Sequence, residues 1–123
     1  NDCFKWALFD RDPMTSWGRG RIALLGDACH PTLPFLAQGA AMAIEDASLL
    51  AACIEAEEIE PGLQKYASLR MKRTARIQLA SRRNAKIFHM KGIQAWVRNQ
   101  AVKRASDDIL DWVYRYDVLA ALD

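Results

Sequence analysis

The feature that most narrows the choice of fold is an apolar run that stops on Gly26-Asp27, crosses a proline-bearing loop and restarts as a small-residue helix, in "RIALLGDACHPTLPFLAQGAAMAIEDA". A short continuous apolar run closed by glycine predicts a strand buried on both faces over Arg21–Asp27. Its terminal carboxylate then stands at the carboxyl edge of a sheet, where open α/β folds take ligands. There Asp27 can accept hydrogen bonds from a ligand's hydroxyls, and Gly26 lets that ligand approach the backbone. Pro31 and Pro34 stiffen the loop over residues 28–37, which Leu33, Phe35 and Leu36 make apolar. Gly39 and Ala40 leave backbone N–H groups free at a helix start, a place that favours negative charge. The ligand these residues imply has hydroxyls at one end and a flat, electron-accepting group at the other.

Elsewhere the alternation of Phe4 to Phe9 predicts a strand, ended by Pro13. Two strands make no useful sheet alone, so the first reads as the edge of one sheet and the second as the interior of another. A helix is expected from Gln38 or Gly39 to Glu57, with Met42, Ile44, Leu49 and Ile54 near one side. Pro61 suits the first turn of a second helix over about 62–90, its stripe running through Leu63, Tyr66, Leu69 or Arg70, Arg73, Ile77, Ala80 and Ile87. Gly92 interrupts it before a third helix, 93–104. Ser106 with Asp107 and Asp108 reads as the cap and acidic first turn of a last helix, 109–119. The fold class is therefore mostly α with two short β-strands. The chain opens on Asn1, and a piece of something longer is expected.

With 51% hydrophobic and 26% charged residues, the composition suits one globular domain. No apolar run approaches the roughly 18 residues that span a bilayer, so no membrane is expected as partner. Three cysteines without metal-ligand spacing suggest a reduced, cytoplasmic setting and no metal. The net charge of +2 hides a lopsided distribution: residues 61–106 carry twelve bases and no acid. Such a block raises nucleic acid as a partner; its spread over helical turns favours packing against acids of the same fold instead.

The stretch over 26–47 closely resembles the second flavin-binding motif of the FAD-dependent aromatic-ring monooxygenases, the family of salicylate hydroxylase and p-hydroxybenzoate hydroxylase. That pattern is Gly-Asp-Ala-Ala-His, a proline soon after, Gln-Gly, and a helix reaching Glu-Asp-Ala. Cys29 replaces the second alanine here, and Ala37 stands where many members have glycine. "LFDRDPMTSWGRGRIALLGDA", "YASLRMKRTARIQLASR" and "DWVYRYD" extend the similarity over nearly the whole chain. The resemblance implies the C-terminal fragment of an α/β, Rossmann-type FAD-binding fold. Residues 1–13 would close a substrate domain, 14–60 would supply the returning strand, flavin loop and helix of the FAD-binding domain, and 61–123 a C-terminal helical region. It implies FAD as cofactor and NAD(P)H as co-substrate, with O2 and a small aromatic substrate such as salicylate, 3-hydroxybenzoate or a hydroxynicotinate. Oxygen would reach the ring through a C4a-hydroperoxide of the flavin.

Residue by residue, the resemblance implies that Asp27 hydrogen-bonds the ribityl chain and Pro34 lies beside the flavin ring, with Gly26 a cofactor-binding residue through its open backbone. Gln38, Gly39 and Ala40 would face the N1/C2-carbonyl edge, with the Gln38 side chain also reaching an aromatic substrate. Pro34 and Gln38 are thus the catalytic candidates. The remaining partners implied are the missing N-terminal part of the same enzyme and a possible homodimer. His30 reads as structural, because side chains adjacent on an extended loop point apart. Arg70 and Arg73 read as braces, and of Glu45 and Asp46 one is expected to meet an arginine while the other is solvated. Trp96, Trp112, Tyr114 and Tyr116 read as core or a dimer contact. The alternatives are a flavin hydroxylase or epoxidase of a larger hydrophobe, and a basic helical nucleic-acid-binding or scaffold module.

Overall fold

The computed structural model describes residues 3–105 and 107–122, so the expected Ser106 cap lies outside the described residues. Two long helices carry the architecture: α1 (Gly39–Ala56) and α2 (Ile59–Phe88). A two-residue connection turns α2 back along α1. The helices close to backbone contact at Gly62, where a Cβ would lie 2.8 Å from the Cys53 carbonyl oxygen. Pro61 sits third in α2, inside the first turn, where its missing N–H costs no ladder bond.

The face α1 buries is Met42, Asp46, Leu49 and Cys53, an i, i+4, i+7, i+11 series. Ile44 and Ile54, expected on that face, are exposed. Met42 and Leu49 point inward as expected, and the inward position between them is an aspartate, not an isoleucine. The buried face of α2 is likewise mixed, with Tyr66, Arg70, Thr74, Ile77, Gln78, Ala80 and Ser81. One core cluster joins Trp17, Cys29, Leu49, Cys53 and Tyr66, and a second joins Leu36, Met42, Ile77 and Ala80.

Of the two expected strands, one is reduced and the other does not form. Among the described residues the sheet is a hairpin, β1 (Gly18–Arg19) antiparallel to β2 (Ile22–Ala23), with Gly18 opposite Ala23. Ile22 is 73% exposed, so the run is not buried on both faces. Beyond Ala23 the chain leaves the ladder and enters a 3-10 turn at Gly26–Ala28. Phe4 to Phe9 form no strand, and Phe4, Trp6, Leu8 and Phe9 are exposed. A strand needs a neighbour, and none lies beside this run among the described residues.

After α2, Gly92 (φ 56°) opens α3 (Gly92–Lys103), which buries none of its side chains. The expected last helix is broken: a 3-10 turn over Asp107–Leu110 leads into α4 (Asp111–Tyr114), which ends there. Arg73 explains the stop. Its guanidinium donates to the Trp112 and Val113 carbonyls at 2.7 and 2.8 Å and covers the Tyr116 ring at 4.0 Å. Those are the carbonyls a continuing helix would need.

Candidate functional site

Gly26 turns the chain with φ 61°, a left-handed conformation that suits glycine. Its carbonyl accepts from the Cys29 and His30 N–H groups, each at 3.0 Å. Its own N–H donates to Asp46 Oδ2 at 3.1 Å. The same oxygen meets His30 Nε2 at 2.5 Å, and Arg70 Nε donates to Oδ1 at 2.7 Å. Asp46, His30 and Arg70 are all fully buried. Arg70 also pairs with Glu45 Oε2 at 2.6 Å and donates to the Met42 carbonyl at 3.3 Å, and Arg73 lies 3.5 Å from Glu45 Oε1. Both acids therefore meet arginine, correcting the expectation that one is solvated. The result is an ionic hub joining the Gly26 turn, α1 and α2.

Burial alone would discourage ionisation of Asp46; the hydrogen bonds from His30 and Arg70, with the Gly26 N–H, outweigh it and hold the carboxyl below its ordinary range. Burial likewise opposes the charge on Arg70, and its two carboxylates reverse that, leaving its pKa raised. For Arg73 burial prevails and the pKa is lowered. Cys29, His30 and Asp46 lie close enough together to suggest a metal site or a nucleophile. Burial first, and Asp46 second, push the Cys29 thiol up to about 12, and its Sγ donates to the Gly26 carbonyl at 3.2 Å. A thiol held protonated is a poor nucleophile, and both oxygens of Asp46 are already engaged by His30, Arg70 and the Gly26 N–H. The bonds of His30 and Asp46 tie the Gly26 turn to α1, and Arg70 ties α1 to α2.

Across from this turn, the proline loop is held by α2. Gln78 Nε2 donates to the Pro31 carbonyl at 3.0 Å, Ser81 Oγ to Leu33 at 2.5 Å and Asn84 Nδ2 to Phe35 at 3.3 Å. Tyr114 adds a bond to the Leu36 carbonyl at 3.3 Å. Pro34 starts a 3-10 turn, Pro34–Leu36, which ends on Ala37 in the left-handed region with φ 51° and ψ 34°. Sequence reasoning passed over these three donors. The available signal was uncharged Gln, Ser and Asn at every third position of an otherwise basic helix.

Between the two walls lies a cleft of about 640 Å³, lined by Gly26, Asp27, Pro34, Gly39 and Ala40 with small or apolar neighbours. Asp27 and Pro34 are exposed on it. No side chain caps the first turn of α1, so its amino end is left to the cleft. Gln38 differs from the other candidates: it is 5% exposed, stands outside the lining and accepts the first helical bond from Met42 N–H at 2.8 Å. A separate apolar cleft of about 590 Å³ lies between the end of α2 and α3 and holds none of these residues.

Much of the basic block is engaged internally. Lys65 pairs with Glu57 at 2.9 Å, Arg82 with Asp10 and Asp12 at 2.5 Å each, and Arg76 covers the Trp112 ring at 3.9 Å. His89 is exposed and folds back on the Ala85 carbonyl at 2.6 Å.

A family model described as "FAD binding domain" matches residues 6–103. The chain belongs to this family. As an FAD-binding domain it is 38% identical over 120 residues to a 3-hydroxybenzoate 6-hydroxylase of Polaromonas naphthalenivorans, covering 93% of this chain and 30% of the relative. It is 42% identical over 123 residues to a 6-hydroxynicotinate 3-monooxygenase of Bordetella bronchiseptica, covering 94% and 27%. Its fold matches a salicylate hydroxylase in complex with substrate, with a TM-score of 0.76 and 30% identity over 94% of this chain and 29% of that one. CtdE in complex with FAD and a substrate matches with a TM-score of 0.70 and 31% identity, over 89% and 27%. The domain thus spans under a third of the length of these relatives. Among its described residues no helix is long and apolar enough to cross a membrane.

Proposed function

We propose that this chain forms the flavin-facing part of an FAD-dependent monooxygenase that hydroxylates a small hydroxylated aromatic acid with NAD(P)H and O2. The observation that carries the reading is the cleft, in which an exposed carboxylate, a proline and an uncapped helix start face one space in a chain of an FAD-binding family. Asp27 accepts hydrogen bonds from the ribityl hydroxyls, and Gly26, lacking a Cβ, allows the approach. The amides of Gly39 and Ala40, at the uncapped start of α1, would hold the N1/C2-carbonyl edge of the ring and favour negative charge there. Pro34 lies beside the ring, and the apolar loop excludes water from it. Gln38 contributes through its backbone at the head of α1, since its side chain is buried. The cofactor, when bound, supplies the transfer of electrons from NAD(P)H and the activation of oxygen.

The substrate class is supported by the relatives, whose names pair a ring hydroxyl with an acid in hydroxybenzoate and hydroxynicotinate. The buried free thiols Cys29 and Cys53 suit a reduced, cytoplasmic setting. The exposed apolar side chains of Ile93, Trp96 and Val97 on α3 suit a second copy of the enzyme. The decisive test is Asp27→Ala in the full-length enzyme, scored by flavin absorbance per protein and by circular dichroism. Loss of FAD with unchanged helix content is expected. Stoichiometric flavin in that variant would remove Asp27 from the site.

A further inference from the structure

We propose that Gln78, Ser81 and Asn84 are positioning residues that set how closely the proline loop approaches the flat ligand of the cleft; this rests on the FAD reading above. The register of their bonds carries the proposal. Positions 78, 81 and 84 of α2 donate to carbonyls 31, 33 and 35 of the loop, three residues of helix for every two of loop. Three helical residues rise about 4.5 Å, whereas two extended residues span about 6.6 Å. The tight turn at Pro34–Leu36 shortens the loop toward the helical repeat.

The loop depends on such donors from outside. Pro31 and Pro34 have no N–H to give to a ladder, and the carbonyls of Pro31, Leu33, Phe35 and Leu36 are met by side chains. With those carbonyls turned to α2, Pro34 and Ala37 line the cleft on the other side. Loosening one rung therefore moves the wall the ligand meets. All three donors are neutral, although Arg82, Arg83 and Lys86 stand beside them in the chain. Neutral donors fix the wall without placing formal charge near an electron-accepting ring, where a desolvated charge would act strongly.

The test uses the full-length enzyme carrying Asn84→Ala or Ser81→Ala, with Arg83→Ala on the exposed side of α2 as control. Measurements are the FAD dissociation constant, the visible bands and reduction potential of bound flavin, and the melting temperature. The first two variants are expected to weaken FAD binding by about three- to tenfold, as for one neutral hydrogen bond, and to displace the bands and potential. Arg83→Ala should leave both in place. Unmoved bands and potential in flavin-loaded Asn84→Ala would overturn the assignment even if the melting temperature fell, because a merely structural rung changes stability alone. If Ser81→Ala fails to fold, the half-buried Asn84 decides. Wild-type enzyme that binds no FAD would instead remove the underlying reading.

Discussion

The two walls of the cleft are both held from α2, by opposite chemistry. The Gly26-Asp27 wall hangs on buried charge, with Arg70 bound to Asp46 and Asp46 bound to the Gly26 N–H and His30. The Pro34 wall hangs on single neutral bonds, one carbonyl at a time. Charged groups taken out of water are stable only as a complete set, because any unpaired member keeps its full desolvation penalty. A ladder of neutral bonds loses about 1 kcal/mol per rung and can yield locally. The difference predicts a rigid, all-or-none wall behind the carboxylate and an adjustable one beside the ring.

The largest effect should come from breaking the charged wall. Asp46→Ala leaves His30 buried without its carboxylate and Arg70 with Glu45 alone, and is expected to cost about 3–5 kcal/mol, read by chemical denaturation. A loss under about 1 kcal/mol, the size of one neutral rung, would erase the distinction between the walls. Acid should reach the same hub next. The folded-state pKa of Asp46 is depressed below its ordinary 3.8, so its contribution is fully present above that value. It is lost as pH falls below 3.8 toward the depressed folded value, where the native state must also take up the proton. Trp17 is buried with its ring 5.3 Å from His30 and should report the loss by fluorescence. Asp46→Asn should flatten the stability-versus-pH curve in that window, and an unchanged curve would place the acid transition elsewhere.

What was legible from residues alone follows the range of the forces involved. Gly26, Asp27, Pro34, Gly39 and Ala40 announce themselves because a tight turn, a fixed φ and a helix start are local events. Their supports are not local: Arg70 is 24 residues from Asp46, and Gln78 is 47 from Pro31. Nothing in the pattern around either partner names the other. The helix predicted after Asp108 stops early for the same reason, since the arginine that takes its carbonyls lies 39 and 40 residues upstream. The Phe4–Phe9 alternation predicts a strand that the structure does not contain, because pairing needs a neighbour that no local pattern supplies. Hydrophobicity alone points Ile44 inward and leaves undecided which of Glu45 and Asp46 is buried, because the burial of Asp46 depends on the distant Arg70.

The smallest effect sharpens the adjustable wall. Ala37 holds φ 51°, where an L-residue with a Cβ is disfavoured by roughly 1–2 kcal/mol relative to its right-handed alternative. The strain persists because the Ala37 N–H donates to the Pro34 carbonyl at 3.1 Å and closes the turn that aims Pro34. Ala37→Gly removes the clash but raises the conformational entropy of the unfolded chain, which returns about 0.5–1 kcal/mol. The balance predicts a net gain of about 0.5–1 kcal/mol, read as a small rise in melting temperature. Because Ala37 also lines the cleft, the added freedom falls on the wall held by single neutral bonds, and FAD affinity should drop slightly while stability rises. A variant that gained both would mean that strain at this turn hinders the site; one that lost both would mean that the alanine is what keeps the loop stiff.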